Sequence, residues 1–112
     1  MPTNSRIKTK VDSFNDEELA EQLSNLFKVF SSDTRIRILT FLLNGEANVE
    51  TIANTLSLSQ SAVSHQLVIL KNGYLIKDRK DGQQRIYSII DDHVKHIIEI
   101  GSNHVQEKKS VK

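Results

Sequence analysis

The sequence predicts a mainly α-helical domain with one small β-hairpin, built from about five helices and two strands. Three observations lead to this prediction. Apolar side chains recur in several segments at the three- and four-residue spacing of an amphipathic helix. Residues that cap helices precede these segments, and Asn-Gly pairs follow two of them. Between residues 74 and 89 the pattern changes to two strand-like runs separated by Asp81-Gly82, a strong hairpin signal.

The chain has 112 residues, enough for one domain, which we place at residues 15–107. Residues 1–14 are polar and basic without a periodic pattern, and we predict that they form a flexible arm. Residues 108–112 are predicted to be a tail.

The first two predicted helices have clear start signals. Asn15 is followed by three acidic residues, as at the start of a helix, and the apolar pattern continues to about Phe30. A second helix is predicted from the capping residues Ser32 and Asp33 to the stop at Asn44-Gly45.

Two short helices follow, joined by a tight connection. The first covers about residues 50–56, and the second covers about residues 60–71 after a Ser59 cap. Two helices joined in this way are typical of a helix-turn-helix, whose second helix lies in the major groove of DNA. Its N-terminal half carries small and polar side chains that can bond base edges or phosphates. These predicted DNA-binding residues are Ser59, Gln60, Ser61, Ser64 and His65.

The strand-like runs, residues 74–79 and 84–89, are predicted to pair around a loop at residues 80–83. A hairpin directly after a helix-turn-helix is a wing, so the predicted fold is a winged helix-turn-helix. The net charge is only +1, which argues against indiscriminate nucleic-acid binding, but basic residues outnumber acidic ones between residues 71 and 85. Three basic residues near the wing tip are predicted to contact phosphates: Arg79, Lys80 and Arg85. A helix with a merely solvated polar face is the alternative, and the basic hairpin argues against it.

A last helix is predicted from about residue 91, and little of the domain is left to cover its apolar stripe. The stripe consists of Val94, Ile97, Ile98 and Val105. We therefore predict that this helix forms the interface of a homodimer.

The same helix carries candidate metal ligands. Because the chain has no cysteine, any metal must be held by His, Asp and Glu. His93 and His104 are eleven residues apart, which places them on one helix face but about 16 Å apart along the axis. Glu107 lies beside His104, and Asp91 can join His93 if it lies at the helix start. Two such helices packed antiparallel would form two identical four-ligand sites per dimer, a ligand set that suits zinc.

Other interpretations of these residues remain open at this point. Asp91 and Asp92 can simply cap the helix, a role that we expect more for Asp92. His93 and His96 can form a separate chelate, and His104 with Glu107 can be solvated surface.

Three segments together resemble the ArsR/SmtB family of bacterial metal-responsive repressors: residues 32–39, 58–67 and 81–88. The resemblance covers about residues 19–107 and is strongest to zinc sensors of the SmtB and CzrA kind. It implies a homodimer that binds a palindromic operator without metal, releases it when zinc binds, and controls metal efflux or sequestration genes.

The resemblance extends to individual residues of the last helix. Asp91-x-His93, ten residues, then His104-x-x-Glu107 matches the family's terminal-helix zinc motif at all four positions. This match implies two Zn²⁺ per dimer, each shared between protomers. It also implies a contact from the His104 ring to the backbone carbonyl of Tyr74, which would link the metal site to the DNA-reading helix. The family's second site needs cysteine, and residues 46–49 have none.

Several classes of function are not expected. There is no long apolar run and no signal peptide at the N-terminus, so we expect a cytoplasmic protein without a membrane partner. No nucleophile–base pair or glycine-rich phosphate loop is evident, which argues against an enzyme or a small organic substrate. The alternatives that remain are the same fold sensing cobalt, nickel or cadmium, and a metal-independent repressor.

Overall fold

The computed structural model describes residues 13–110 and confirms the predicted fold class. Within these residues it contains five helices and one antiparallel hairpin. In chain order the elements are α1 (Asp16–Phe30), α2 (Asp33–Leu42), α3 (Val49–Leu56), α4 (Gln60–Asn72), β1 (Ile76–Asp81), β2 (Gln84–Ile89) and α5 (Asp92–Ser110). The predicted arm lies almost entirely outside the described residues. The last helix continues beyond the predicted domain end at residue 107, because Lys108 and Lys109 are still helical.

The helix starts follow from local capping chemistry. Asn15 forms a capping box at the start of α1: its side chain accepts a hydrogen bond from the Glu18 N–H at 2.8 Å, and its own N–H donates to the Glu18 carboxylate at 3.0 Å. Ser32 and Ser59 cap α2 and α4 as predicted. The cap of α3 is Asn48, so this helix begins one residue earlier than predicted.

The junction between α4 and the hairpin differs from the prediction. Tyr74 has a left-handed backbone (φ 60°), its N–H donates to the Lys71 carbonyl, and the Leu75 N–H donates to the Leu70 carbonyl. These two bonds form a Schellman motif, which occupies the residues that were predicted to open the first strand. As a result β1 begins at Ile76. At the other end of the hairpin, the strands continue to the pair Asp81 and Gln84, so the loop has only two residues.

The core joins the helix-turn-helix to the base of the hairpin. Its fully buried side chains are Ile38, Leu39, Ile52, Val63, Leu67, Leu70, Leu75 and Ile76. Ala47 adds a short third edge to the sheet through two hydrogen bonds with Tyr87, at 2.8 and 3.0 Å. In contrast, α1 has no buried residue and rests on the core through Leu26, Val29 and Phe30.

The last helix is anchored only at its beginning. Val94 is buried and Ile98 packs against the core of the same protomer, whereas every residue from 99 to 109 is exposed. The C-terminal half of α5 therefore extends from the domain. No helix within residues 13–110 is both long enough and apolar enough to span a membrane.

Candidate DNA-binding surface and metal ligands

The helix-turn-helix presents the predicted DNA-reading face to solvent. Ser57 adopts a left-handed backbone (φ 59°) and closes the turn between α3 and α4. The α4 helix buries Val63, Leu67 and Leu70, which turns its opposite side outward. All five predicted DNA-binding residues are exposed: Ser59, Gln60, Ser61, Ser64 and His65.

Ser59 caps α4 as predicted, since its hydroxyl accepts a hydrogen bond from the Ala62 N–H at 3.1 Å. One detail of this face was not expected. Val68 is 58 % exposed and lies about 20° from Ser61 around the helix, which adds an apolar side chain to the polar face. The spacing of Val63, Leu67 and Leu70 already places Val68 on the opposite side of the helix, so the sequence did carry the signal for this exposed apolar residue.

An arginine that sequence reasoning missed holds α4 against the end of α1. The Arg35 guanidinium donates to the carbonyls of Val29 (2.8 Å) and Lys28 (3.4 Å) and to the side-chain oxygen of Gln66 (3.1 Å). Val29 also approaches α4 directly, because a Cβ at Gly73 would lie 3.0 Å from its side chain. The DNA-reading helix is thus tied to α1 at two points along its length.

The hairpin register sorts the charged side chains of the wing onto two faces. Asp78 pairs with Tyr87 and lies on the face turned toward α4. Its carboxylate is 2.8 Å from the Lys71 ammonium and 3.2 Å from the Arg85 guanidinium, and its side chain is only 7 % exposed. The hydrogen bond from Lys71, and then the charges of Lys71 and Arg85, hold the pKa of Asp78 below its usual value although burial opposes this.

Arg79 lies on the other face and binds Glu46, with 2.8 Å between guanidinium and carboxylate. Both side chains are about half exposed. The hydrogen bond from Arg79 lowers the pKa of Glu46, and the same contact raises the pKa of Arg79. Of the three predicted phosphate contacts, Arg79 and Arg85 are therefore already paired with carboxylates, and Lys80 alone has no ion pair within residues 13–110. Neither pair was predicted from the sequence.

The start of α5 brings the first two candidate metal ligands together. Asp91 precedes the helix and accepts a hydrogen bond from the His93 N–H at 3.0 Å, as an N-cap does. The expectation that Asp92 is the cap is therefore wrong, because Asp92 is the first helical residue. The same Asp91 oxygen is 3.3 Å from Nδ1 of His93, and the hydrogen bond from His93 lowers the pKa of Asp91. The His93 side chain is 89 % exposed.

The second pair of candidate ligands lies far along the same helix. His104 and Glu107 are exposed, and the unbroken helix places them about 16 Å from His93. Accordingly, no three His, Asp or Glu side chains in the described part of the chain are grouped so that they can hold a metal ion. Tyr74 is 80 % exposed, and within residues 13–110 no hydrogen bond joins His104 to it.

An apolar groove of about 480 Å³ runs between α1, α2 and the outer half of α5. Phe27, Ile97 and Val105 line it, and Phe27 and Val105 are 55 % and 64 % exposed. The predicted interface stripe on α5 is thus divided. Val94 and Ile98 pack within their own protomer, and Val105 faces outward.

Comparison with known proteins agrees with this architecture. The sequence model of the bacterial regulatory protein, arsR family, matches residues 32–77. The chain is 38 % identical over 100 residues to the cadmium resistance transcriptional regulatory protein CadC homolog of Staphylococcus aureus, an alignment that covers 85 % of this chain and 83 % of that protein. It is 35 % identical over 88 residues to the transcriptional repressor SmtB homolog of Synechocystis, covering 79 % and 67 % respectively.

A solved structure extends the similarity to the fold. It is a homodimeric winged helix-turn-helix DNA-binding domain from Mycobacterium bovis, a possible ArsR-family transcriptional regulator. It superposes with a TM-score of 0.80 at 25 % identity, over 89 % of this chain and 94 % of that chain. The family model and the related sequences indicate the same family, so the chain belongs to the ArsR family of bacterial regulatory proteins. It is therefore a DNA-binding transcriptional regulator rather than an enzyme.

Proposed function

We propose that this regulator is a zinc-responsive repressor that binds a palindromic operator as a metal-free homodimer and is released when zinc binds, controlling metal efflux or sequestration genes. The observation that carries the proposal is the split ligand set of α5. Two exposed pairs, Asp91 with His93 and His104 with Glu107, lie at opposite ends of one helix that extends from the domain.

The proposed DNA contacts combine α4 and the wing. Gln60 can pair with an adenine edge, and the exposed hydroxyls of Ser61 and Ser64 can bond base edges or phosphates, with Ser59 and His65 beside them. In the wing, Lys80 is proposed to contact phosphate directly. Arg79 is proposed to do the same after leaving Glu46, because breaking an ion pair between two half-exposed side chains costs little. Arg85 is bound by a nearly buried carboxylate, and we assign it a different role.

The proposed dimer pairs the α5 helices of two protomers in antiparallel orientation. Exposed apolar side chains on α1 and on the outer half of α5, among them Phe27, Ile100 and Val105, would be covered by the partner. In this arrangement Asp91 and His93 of one protomer meet His104 and Glu107 of the partner subunit, which forms two identical sites per dimer.

The donor set fits zinc. The Asp91 carboxylate and His93 imidazole converge within 3.3 Å, and the full set of two nitrogens and two carboxylates matches the four-coordinate sites that Zn²⁺ prefers. A bound ion would supply a cross-link between the two α5 helices. One relative is named for cadmium resistance, which makes cadmium the second candidate metal. We favour zinc because the described ligands include no thiolate.

Release of DNA requires that the metal and the operator favour different arrangements of the dimer. By linkage, each ligand then weakens the other by the same factor. The proposed connection is a hydrogen bond from the His104 ring to the Tyr74 carbonyl at the end of α4, since an outer hydrogen bond of this kind orients a metal-binding imidazole. A His104→Gln protein that bound zinc tightly and still released DNA in response to it would refute this connection.

Zinc content after dialysis against a competing chelator tests the site. We expect two ions per dimer in the native protein and none in His104→Ala. His96→Ala is the matched control, because His96 is an exposed histidine on the same helix outside the motif, and it should retain both ions. A native protein without zinc, or equal losses in both variants, would contradict the proposed site. An operator selected from random duplexes then tests release: zinc should lower the affinity of the native protein and of His96→Ala, but not that of His104→Ala.

A further inference from the structure

Asp78 is a nearly buried carboxylate at the junction of the DNA-reading helix and the wing. It contacts Lys71 in the last turn of α4 and Arg85 in β2, at 2.8 and 3.2 Å. The two cations are about half exposed, whereas the carboxylate that they share is 7 % exposed. One side chain thus connects the helix to the hairpin and pairs with two of the basic residues between positions 71 and 85.

The burial of Asp78 makes this cluster different from the other ion pair of the wing. If Lys71 and Arg85 moved to DNA phosphates, the Asp78 carboxylate would lose both of its counter-ions at once, which opposes their release. The Arg79–Glu46 pair has no such penalty, since both partners face water. Cations that look alike in the sequence therefore differ in their availability to DNA.

We propose that Asp78 is a positioning residue for DNA binding, which fixes the wing against α4 and withholds Lys71 and Arg85 from the phosphate backbone. This inference rests on the proposed use of α4 and the wing as the DNA-binding surface. Phosphate contacts add affinity for every sequence, whereas base contacts on α4 discriminate between sequences. By withholding two phosphate contacts, Asp78 lowers the affinity for every DNA sequence by a similar factor and makes binding less dependent on salt.

The salt dependence of binding to a random-sequence duplex measures the number of phosphate contacts directly. Each cation that meets a phosphate steepens the slope of log K against log salt by about 0.9. Asp78→Asn keeps the shape of the side chain and removes its charge, so it should steepen the slope by up to about 1.8 and raise the affinity for the random duplex at low salt. Asp78→Asn with Lys71→Gln should steepen it by only about 0.9.

Two single variants complete the test. Lys71→Gln in the native background should leave the slope unchanged, because the lysine is held by Asp78 and not by DNA. Asp81→Asn is the charge control: it removes one carboxylate from the same hairpin, and within residues 13–110 Asp81 forms no ion pair and acts on Arg79 only through its charge. Its slope should stay near that of the native protein.

Several results would overturn the inference. These are an unchanged slope in Asp78→Asn, an equal effect of Asp81→Asn, or a slope made shallower by about 0.9 in Lys71→Gln. If Asp78→Asn does not fold, Lys71→Gln and Arg85→Gln test the inference, because each variant leaves the carboxylate with one of its two partners. Unchanged salt slopes in these variants support the inference, and shallower slopes refute it. A native protein that bound neither duplex would refute the proposed function, and this inference with it.

Discussion

Truncating Val105 to alanine should weaken the proposed dimer by a predictable amount. The substitution removes two carbons, worth about 0.8 kcal/mol each when they move from full exposure to full burial. Since Val105 is 64 % exposed in the protomer, only that fraction remains to be buried by the partner, or about 1 kcal/mol per protomer. The twofold axis doubles the loss to about 2 kcal/mol, which corresponds to a dimer dissociation constant raised about 30-fold.

Sedimentation equilibrium of the metal-free protein, in the presence of a chelator, measures this constant. Val68→Ala is a closely matched control, because it is the same substitution at a side chain that is 58 % exposed but lies on α4. We expect Val68→Ala to leave the dimer constant unchanged. If Val105→Ala dimerised as tightly as the native protein, or if the two variants weakened the dimer equally, the groove between α1 and α5 would not be the interface.

Three further predictions concern individual side chains. The pKa of Asp78 is lowered in the folded state by Lys71 and Arg85, so the charged carboxylate should make the native protein more stable than Asp78→Asn. This stability difference should be present above about pH 4 and decrease as the pH falls through the lower pKa of the folded state. Urea unfolding of both proteins at pH 7 and pH 3 measures it. Tyr74→Gly should raise the free energy of unfolding by about 0.5–1 kcal/mol, because relief of the left-handed backbone exceeds the entropy cost of a glycine. Little packing is lost, since the Tyr74 side chain is 80 % exposed. A lower free energy of unfolding, measured in urea, would mean that the tyrosine makes an unrecognised contact. Arg35→Lys should lower the free energy of unfolding by about 1–2 kcal/mol, because lysine cannot form the forked hydrogen bonds of the guanidinium. A double-mutant cycle with Gln66→Met should give a coupling energy of about 1 kcal/mol. Additive effects of the two substitutions would exclude a link between these residues.

Helix starts were predictable because their chemistry is local. Asn15, Ser32 and Ser59 each bond to a backbone N–H three residues ahead, so the signal lies within a few letters of sequence. The end of α4 was less predictable, because the left-handed position falls on Tyr74 and not on a glycine, the residue that usually takes it. Gly73 instead precedes that position with φ −85°. A strand that was expected to begin at Tyr74 therefore begins two residues later.

The electrostatics of the wing were unpredictable for a related reason. A predicted loop over residues 80–83 would pair Arg79 with Gln84, whereas the observed two-residue loop pairs Arg79 with Ile86. Both registers keep Asp78 near Arg85, so what the hairpin sequence could not show is the approach of two charges from outside it, Glu46 and Lys71. Exposure of the DNA-reading face was easier to predict, since the period of the buried residues on α4 fixes which side faces solvent.

Two independent features of α5 have the same explanation, a second copy of the chain packed against this helix. The two pairs of candidate ligands lie about 16 Å apart on one unbroken helix, so His93 and His104 of one protomer cannot bind a single ion. Separately, the outer half of that helix leaves two large apolar side chains, Ile100 and Val105, mostly exposed to water in the protomer. A second copy of the chain related by a twofold axis would complete the ligand set and cover the apolar side chains in one step. Metal binding and dimer geometry would then depend on the same helix, which is the physical requirement for zinc to change how two DNA-reading helices are spaced.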